Sequence, residues 1–449
     1  MQNSYMRRIK EIITNIFMVP ELRKRILFTF GMLVVFRLGY IITVPGIDKK
    51  VLADFMKQLA QDAGRLYGFI SLFSGGSIAN LSIFSLGIMP YITASIIFSL
   101  LVKVVPKLEA LSKEGPSGYR KISQYTRLAT LPICIFWSFW TVLLLQSPSS
   151  SINGQLLVAN PGFWSFGLTA MLSLTAGALF VMWLGEQITE FGIGNGASII
   201  IMTGIIARMP QAIGEMIQGV KSGSISSDRP IMILIVYIAV IVAIVYMTQA
   251  QRRIPVQYSR HVRGGQFGQR HFLPLRINQA GVMPVIFAAT LMAFPDMLGR
   301  VFKSDFLIQM FSRGESGFWY VFFYIGLIYF FTYFWTALYF RPVEMADNLK
   351  EWGSFVPGIR PGFDTANYLE RIMNRIALVG ATFLTLVALL PNMASYALGV
   401  DKYVTSFLGG TGILIVVGVG LDLTQKIESQ LLIREYDGFL KKGRIRGRR

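Results

Sequence analysis

The sequence is poor in charge, in thiols and in imidazoles. Charged residues make up 15% of its 449 positions, where soluble domains carry about 25%. That deficit excludes an ordinary soluble chain of this length. Cysteine occurs once, as Cys134 inside an apolar run. A lone cysteine forms no internal disulfide and says nothing about redox compartment; its setting reads as a small packed residue. The two histidines, His261 and His271, stand in one basic stretch. No HExxH pair, phosphate-binding loop or nucleophile elbow is present. An enzyme needs titratable groups able to converge. The sequence nominates no catalytic residue, no metal-ligand set and no cofactor site, and the chain reads as a non-enzyme. The glycine-rich GIGNG at 192–196 follows no predicted strand. Glu186 and Glu190, in GEQITE, stand near the end of an apolar run and read as solvated or capping carboxylates rather than as a catalytic pair.

What the chain has in abundance is apolar length. Hydrophobic residues make up 53% of it, with mean hydropathy +0.52. Its apolar runs are about 20 residues long, enough to cross a bilayer as helices. The expectation is an all-α polytopic membrane protein with ten spans, roughly at 26–45, 82–102, 128–146, 164–184, 196–217, 230–249, 279–298, 318–340, 376–396 and 405–424. A further apolar segment at 66–80 is too short to cross and is expected to form a partial helix ahead of the second span. The first run follows a basic arm bearing Arg7, Arg8, Lys10, Arg23, Lys24 and Arg25. It ends at VPGID without a small-residue cleavage pattern, so it is expected to be retained as a span.

The net charge of +19 is distributed unevenly. With the N-terminus cytoplasmic, the cytoplasmic segments hold 31 of the 43 lysines and arginines and the opposite side ten. That asymmetry follows the positive-inside rule, and ten spans return the C-terminus to the cytoplasm. Residues 251–276 carry six arginines and no acid. Such a stretch serves as a topology determinant against anionic lipid or as a dock for an acidic or RNA-rich partner. Its length, with Gly264, Gly265 and Gly268 in the middle, marks a functional loop rather than a plain connector. Residues 341–375 balance five bases with five acids, and FVPGIRPG within them brackets Arg360 between two Pro-Gly pairs. Those turns are expected to hold Arg360 at an exposed tip.

Residues 74–97, SGGSIANLSIFSLGIMPYITASII, open on two glycines and combine membrane-compatible hydropathy with serines, an asparagine and Pro90. Non-helical backbone inside a membrane is tolerated only where it is buried in protein or faces water, so 74–81 is expected to line a cavity. Ile88 and Ile92 are four apart and share a helix face, as do Ala197 and Ile201. Such residues can face lipid, or they can narrow a water-filled path until it dewets. The residues alone leave three classes open: a protein channel, a small-solute transporter built on a broken helix, and an intramembrane enzyme. The ionisable residues weigh against a transporter, because Arg37, Glu215 and Asp422 lie off the midplane.

GIMPYITASII (87–97), SIFSLGIMPY (82–91), LFSGG (72–76), EGPSGYRKISQYTR (114–127), MWLGEQITEFGIGNGASIII (182–201), FVPGIRPG (355–362) and FLGGTGILIVV (407–417) are similar, in sequence and in order, to segments of the SecY family. Bacterial members of that family form the pore of the protein-secretion channel. The resemblance covers nearly the whole chain. It implies two five-span halves related by an inverted pseudo-repeat around an hourglass pore. The divisions are then a cytoplasmic arm at 1–25, an N-terminal half at 26–220, a C-terminal half at 221–424 with cytoplasmic loops at 250–277 and 341–375, and a basic cytoplasmic tail at 425–449.

Carried over residue by residue, the resemblance assigns a plug to 66–80, with Ile70, Ser71, Leu72, Phe73, Ser74, Gly75 and Gly76 at its centre. It assigns an apolar pore ring to Ile88, Ile92, Ala197, Ile201, Ile286 and Ile415, and a lateral gate to Asn278 and Ser99. Ala197 departs from the family's bulkier residue, so the resting seal is expected to lean more on the plug unless Met202 fills the gap. Arg252, Arg253 and Arg260 lie in the first docking loop for the ribosome and the SecA motor, and Arg360 lies in the second. Between Tyr258 and Leu273 the loop departs from the family's pattern, and no further role is carried over there. The implied partners are SecE-type and SecG-type subunits, SecA, the ribosome, signal sequences, unfolded precursors and membrane lipid. The implied location is the plasma (inner) membrane of a bacterium.

Overall fold

The computed structural model describes residues 19–47, 81–146, 162–223, 226, 228–258, 271–301, 318–398 and 411–442. The plug positions Ile70 to Gly76 and the docking residue Arg260 lie outside the described residues. The chain divides into two compact units, Met1–Pro210 with Val419–Arg449, and Gln211–Gly418.

The first unit is built from α1 (Pro20–Leu38), α2 (Met89–Val104), α3 (Pro106–Lys113), α4 (Pro116–Gln146), α5 (Leu168–Phe191) and α6 (Gly196–Ile206). A single π-turn at Phe163–Gly167 leads into α5. Two of its boundaries follow from proline. Val105, which precedes Pro106, is extended at φ −98° and ψ 112°, as the residue before a proline prefers, and α2 and α3 meet at 97°. The core gathers Leu86, Cys134, Val142, Leu145, Phe166, Leu174 and Ala178. Cys134 is a fully buried packing residue, as its sequence setting suggested. A hydroxyl pair at 2.9 Å, Ser138 to Thr175, ties α4 to α5 within it, the kind of polar tie that helices use in apolar surroundings.

The second span does not begin at 82. Residues 81–88 are a buried run of turns, and α2 starts at Met89. The backbone here pairs with the chain that leaves α1. Val44 N–H donates to the Leu81 carbonyl and Ile83 N–H to the Ile42 carbonyl, each at 2.9 Å, around an isolated bridge between Thr43 and Ser82. Ser85 Oγ donates to the Ser82 carbonyl at 2.5 Å, and Gly87 adopts φ +54°. Hydroxyls that bond their own backbone compete with helix, and Pro90 fixes the first turn of α2. Gly177 of α5 makes this fit possible, since a Cβ there would sit 2.1 Å from the Ile83 carbonyl oxygen.

The fifth span, expected to be continuous over 196–217, is broken. α6 ends at Ile206 and α7 (Met209–Lys221) begins after two turn residues. Pro210 has no N–H for the Ile206 carbonyl, and its ring crowds that carbonyl, so the ladder stops there.

The second unit holds α8 (Arg229–Gln249), β1 (Gln251–Tyr258), β2 (His271–Arg276), α9 (Met283–Val301), α10 (Phe318–Tyr339), α11 (Pro342–Glu351), β3 (Ser354–Phe355) and α12 (Phe363–Leu398). The basic stretch expected to be a long loop is a β-hairpin at both ends. β1 pairs antiparallel with β2, from Gln251 opposite Arg276 to Val256 opposite His271, and β3 adds to the other edge at Gln257–Phe355 and Tyr258–Ser354. The cause is period-two patterning: Ile254, Val256 and Leu275 are buried while Arg253 and Pro255 are exposed. A last helix, α13 (Thr411–Lys442), contributes residues to both units.

Each of the ten expected spans overlaps a described helix, the fifth overlapping two. Among the described residues five helices are long and apolar enough to cross a membrane: Pro116–Leu143, Trp164–Phe191, Arg229–Gln249, Phe318–Glu351 and Phe363–Leu390. The bent pair α2 and α3 makes a sixth if counted as one span. The remaining expected spans lie on helices that are shorter or more charged. α1 carries Arg23, Lys24 and Arg25 within its first two turns.

Candidate functional site

The face that carries Arg252, Arg253 and Arg360, the arginines expected to dock partners, is assembled in the second unit. Ile254, Leu275, Phe340, Val356, Leu369, Ile372, Met373 and Ile376 form one core cluster that seats the hairpin and the FVPGIRPG segment on the first turns of α12. Within that segment, Ile359 N–H donates to the Val356 carbonyl at 3.1 Å. Pro357 and Gly358 are the central residues, with Gly358 at φ +83°. This is a type II turn, which requires positive φ at its third residue. Val356 is buried and Ile359 packs on the same core, so the turn is nailed down on both sides. Arg360 is exposed beyond it, and its carbonyl accepts from Thr365 Oγ1 at 2.8 Å. Arg252 and Arg253 are exposed on β1. Arg252, Arg253 and Arg360 therefore stand on a rigid mount within one unit.

The six ring positions divide between the units. Ile88, Ile92, Ala197 and Ile201 lie in the first, Ile286 and Ile415 in the second. Ile88, Ile201, Ile286 and Ile415 are buried, at 1%, 5%, 5% and 2% exposure. Ile92, Ala197 and Met202 are half-buried. In the first unit Ile88 and Ala197 gather at Gly185 of α5. A Cβ on Gly185 would lie 3.2 Å from Ile88 Cδ1, 3.4 Å from Ile200 Cδ1 and 3.6 Å from Ala197 N.

Gly196 is held tighter still, with its Cα where a Cβ would meet the Gly185 carbonyl at 1.9 Å. Of the GIGNG glycines, Gly196 serves this close crossing of α5 and α6, while a Cβ on Gly192 would meet Thr29 Oγ1 of α1 at 2.5 Å and Gly194 adopts φ +83°. Asn195 caps α6 by accepting from Ser198 N–H at 3.3 Å. Gly196 N–H donates to Thr189 Oγ1 at 2.8 Å. From α1, Thr29 Oγ1 accepts from Ile193 N–H at 3.2 Å. Gly185, Thr189 and Thr29 were missed from sequence; the three closely spaced glycines that follow Gly185 in GxxxxxxGxGxG (185–196) were the available signal.

Of the two gate residues, Ser99 donates to the Ser95 carbonyl of its own helix at 2.7 Å. Asn278 lies between β2 and α9, with a buried Oδ1 that accepts no hydrogen bond among the described residues.

Glu186 is not the solvated or capping carboxylate expected. Its side chain is 17% exposed and forms an ion pair with Arg127 of α4. Charge in a span is tolerated where it is paired, and this pair ties α4 to the last turns of α5. Sequence separation hides it.

Comparison with known proteins places this geometry. The SecY family model matches residues 82–424. The protein translocase subunit SecY of Escherichia coli K12 is 43% identical over 435 residues, 95% of this chain and 96% of that protein. A solved structure described as that of a protein conducting channel is 17% identical and superposes with a TM-score of 0.60 over 95% of each chain. Sec61 in the canine ribosome–channel complex from the endoplasmic reticulum is 16% identical, with a TM-score of 0.59 over 95% of each chain.

Proposed function

The chain belongs to the SecY family, and from that membership we propose that it is a protein-conducting channel subunit that passes unfolded secretory polypeptides across the plasma membrane and releases hydrophobic segments sideways into the bilayer. The observation that carries this reading is a near-full-length match to a protein translocase subunit, joined to the fold of a protein-conducting channel. It is a multi-pass membrane protein, and the positive-inside charge balance supports cytoplasmic termini.

The physical logic is that of a gated conduit. An apolar ring at Ile88, Ile92, Ala197, Ile201, Ile286 and Ile415 dewets and blocks ions when no chain is present. A plug at 66–80 stands before it. Asn278 and Ser99 mark a lateral seam, where a polar side chain can hydrogen-bond and keep the seam shut; Asn278 Oδ1 is buried with no donor among the described residues. A signal sequence, apolar over about 7–15 residues, replaces that polar contact with burial against lipid. Arg252 and Arg253 on β1, Arg260 in the same basic stretch and Arg360 beyond its turn dock the ribosome or the SecA motor, which supply the driving force. SecE-type and SecG-type subunits complete the complex. The chain contributes binding, sealing and opening, with no bond-making step of its own.

Deleting 68–76 is expected to raise resting ion conductance of the reconstituted channel severalfold, and Ala197→Ile to lower it. Planar-bilayer recording checks both. Unchanged conductance in both variants would remove the plug-and-ring assignment.

A further inference from the structure

The hairpin, Ile277 and α12 border an open cavity of about 430 Å³ lined by Gln251, Arg252, Ile277, Ile372, Arg375, Ile376 and Val379. We propose that this cavity binds one anionic phospholipid, its phosphate between Arg252 and Arg375 and an acyl chain along the α12 face at Ile376 and Val379. Three observations converge. The lining holds two arginines and no acid, and neither arginine pairs with a carboxylate among the described residues, so two like charges face a shared space without a counter-ion. Apart from Ile277, the apolar lining comes from one helix face, since 372, 376 and 379 are spaced four and three apart. Arg375 is the last charged residue before an uncharged stretch from Ile376 to Leu398. It therefore stands where the aqueous phase ends and the hydrocarbon begins.

Depth selects a lipid over a soluble anion. Val379 lies one turn beyond Arg375, about 6 Å along the axis, and is 51% exposed. Exposed apolar residues continue from it at Leu386. A phosphate with no tail would leave that stripe bare, whereas a phospholipid covers it while neutralising the arginines. The volume is that of a small-molecule pocket. The inference goes beyond the channel reading and does not depend on it.

The test is native mass spectrometry of the full chain, purified in mild detergent with matched-chain phosphatidylglycerol and phosphatidylcholine. Wild type is expected to retain one phosphatidylglycerol preferentially. Arg375→Gln should weaken retention about fivefold, and Arg252→Gln with Arg375→Gln should do so by a further similar factor. Phosphatidylcholine retention should not change, and Arg375→Lys should hold the lipid. Val379→Glu, which leaves both arginines in place, should also expel it. Four outcomes would overturn the proposal: equal retention of both lipids, undiminished phosphatidylglycerol in the arginine variants, displacement by inorganic phosphate, or displacement by a soluble polyglutamate peptide. The last would assign the groove to an acidic protein segment.

Discussion

Gly196→Val is expected to destabilise the first unit by about 3 kcal/mol, the upper range for overpacking a close contact. The added Cβ would meet the Gly185 carbonyl at 1.9 Å and Ile188 Cβ at 2.9 Å. The first of these is backbone within a helix and cannot swing aside as a side-chain tip would. Relief requires α5 and α6 to separate, and that would strip Ile88 and Ile200 from their packing around Gly185. The control is Gly214→Ala on α7, where a Cβ meets nothing within 4 Å. There the substitution should be neutral or gain up to about 1 kcal/mol from helix propensity. Thermal unfolding of the purified chain in detergent reads both. A valine variant that melts with the parent would show that α5 and α6 do not cross as closely as described.

The second large effect concerns the Arg127–Glu186 pair. Arg127→Leu leaves a carboxylate with 17% exposure and no cation beside it. Breaking a fully buried pair from one side costs about 3–5 kcal/mol; with Arg127 48% exposed, the expected loss is nearer 2 kcal/mol, because solvent screens part of the interaction. Removing both charges, in Arg127→Leu with Glu186→Leu, should restore most of the stability, since it is the orphaned charge that is expensive rather than the absent pair. A double-mutant cycle measured by thermal or denaturant unfolding gives the coupling directly. Additive losses would mean that the two side chains act independently.

What could be read from the sequence depended on whether the cause was local. Spans are local, because a run of apolar residues has to be removed from water wherever it sits, and the ten expected spans met ten helical regions. The break at Pro210 was also local and legible, since a proline in mid-span interrupts its own ladder, yet hydropathy carried the reading across it. The start of α2 was misplaced because residues 82–88 are apolar, and hydropathy does not separate a buried turn from a buried helix. What decides that stretch is the partner strand at 42–44 and the space left by Gly177, both distant in sequence. The hairpin was concealed by its own composition. Arginines and glycines between 251 and 276 read as loop, while the alternation of Ile254 and Val256 was too short to stand out. The Arg127–Glu186 pair joins two helices and leaves no local trace. The assignment of ring, gate and docking residues rests on resemblance to a family, since no spacing rule distinguishes an isoleucine that lines a path from one that faces lipid.

The central claim is that polypeptide passes the ring. The most direct measurement is site-specific crosslinking from a cysteine at Ile92, with Cys134→Ala to remove the native thiol, to a cysteine in the mature part of a stalled secretory precursor. A crosslink that forms only when the precursor is engaged is the predicted result. No crosslink, with the precursor demonstrably bound, would contradict the account and place the path elsewhere in the molecule.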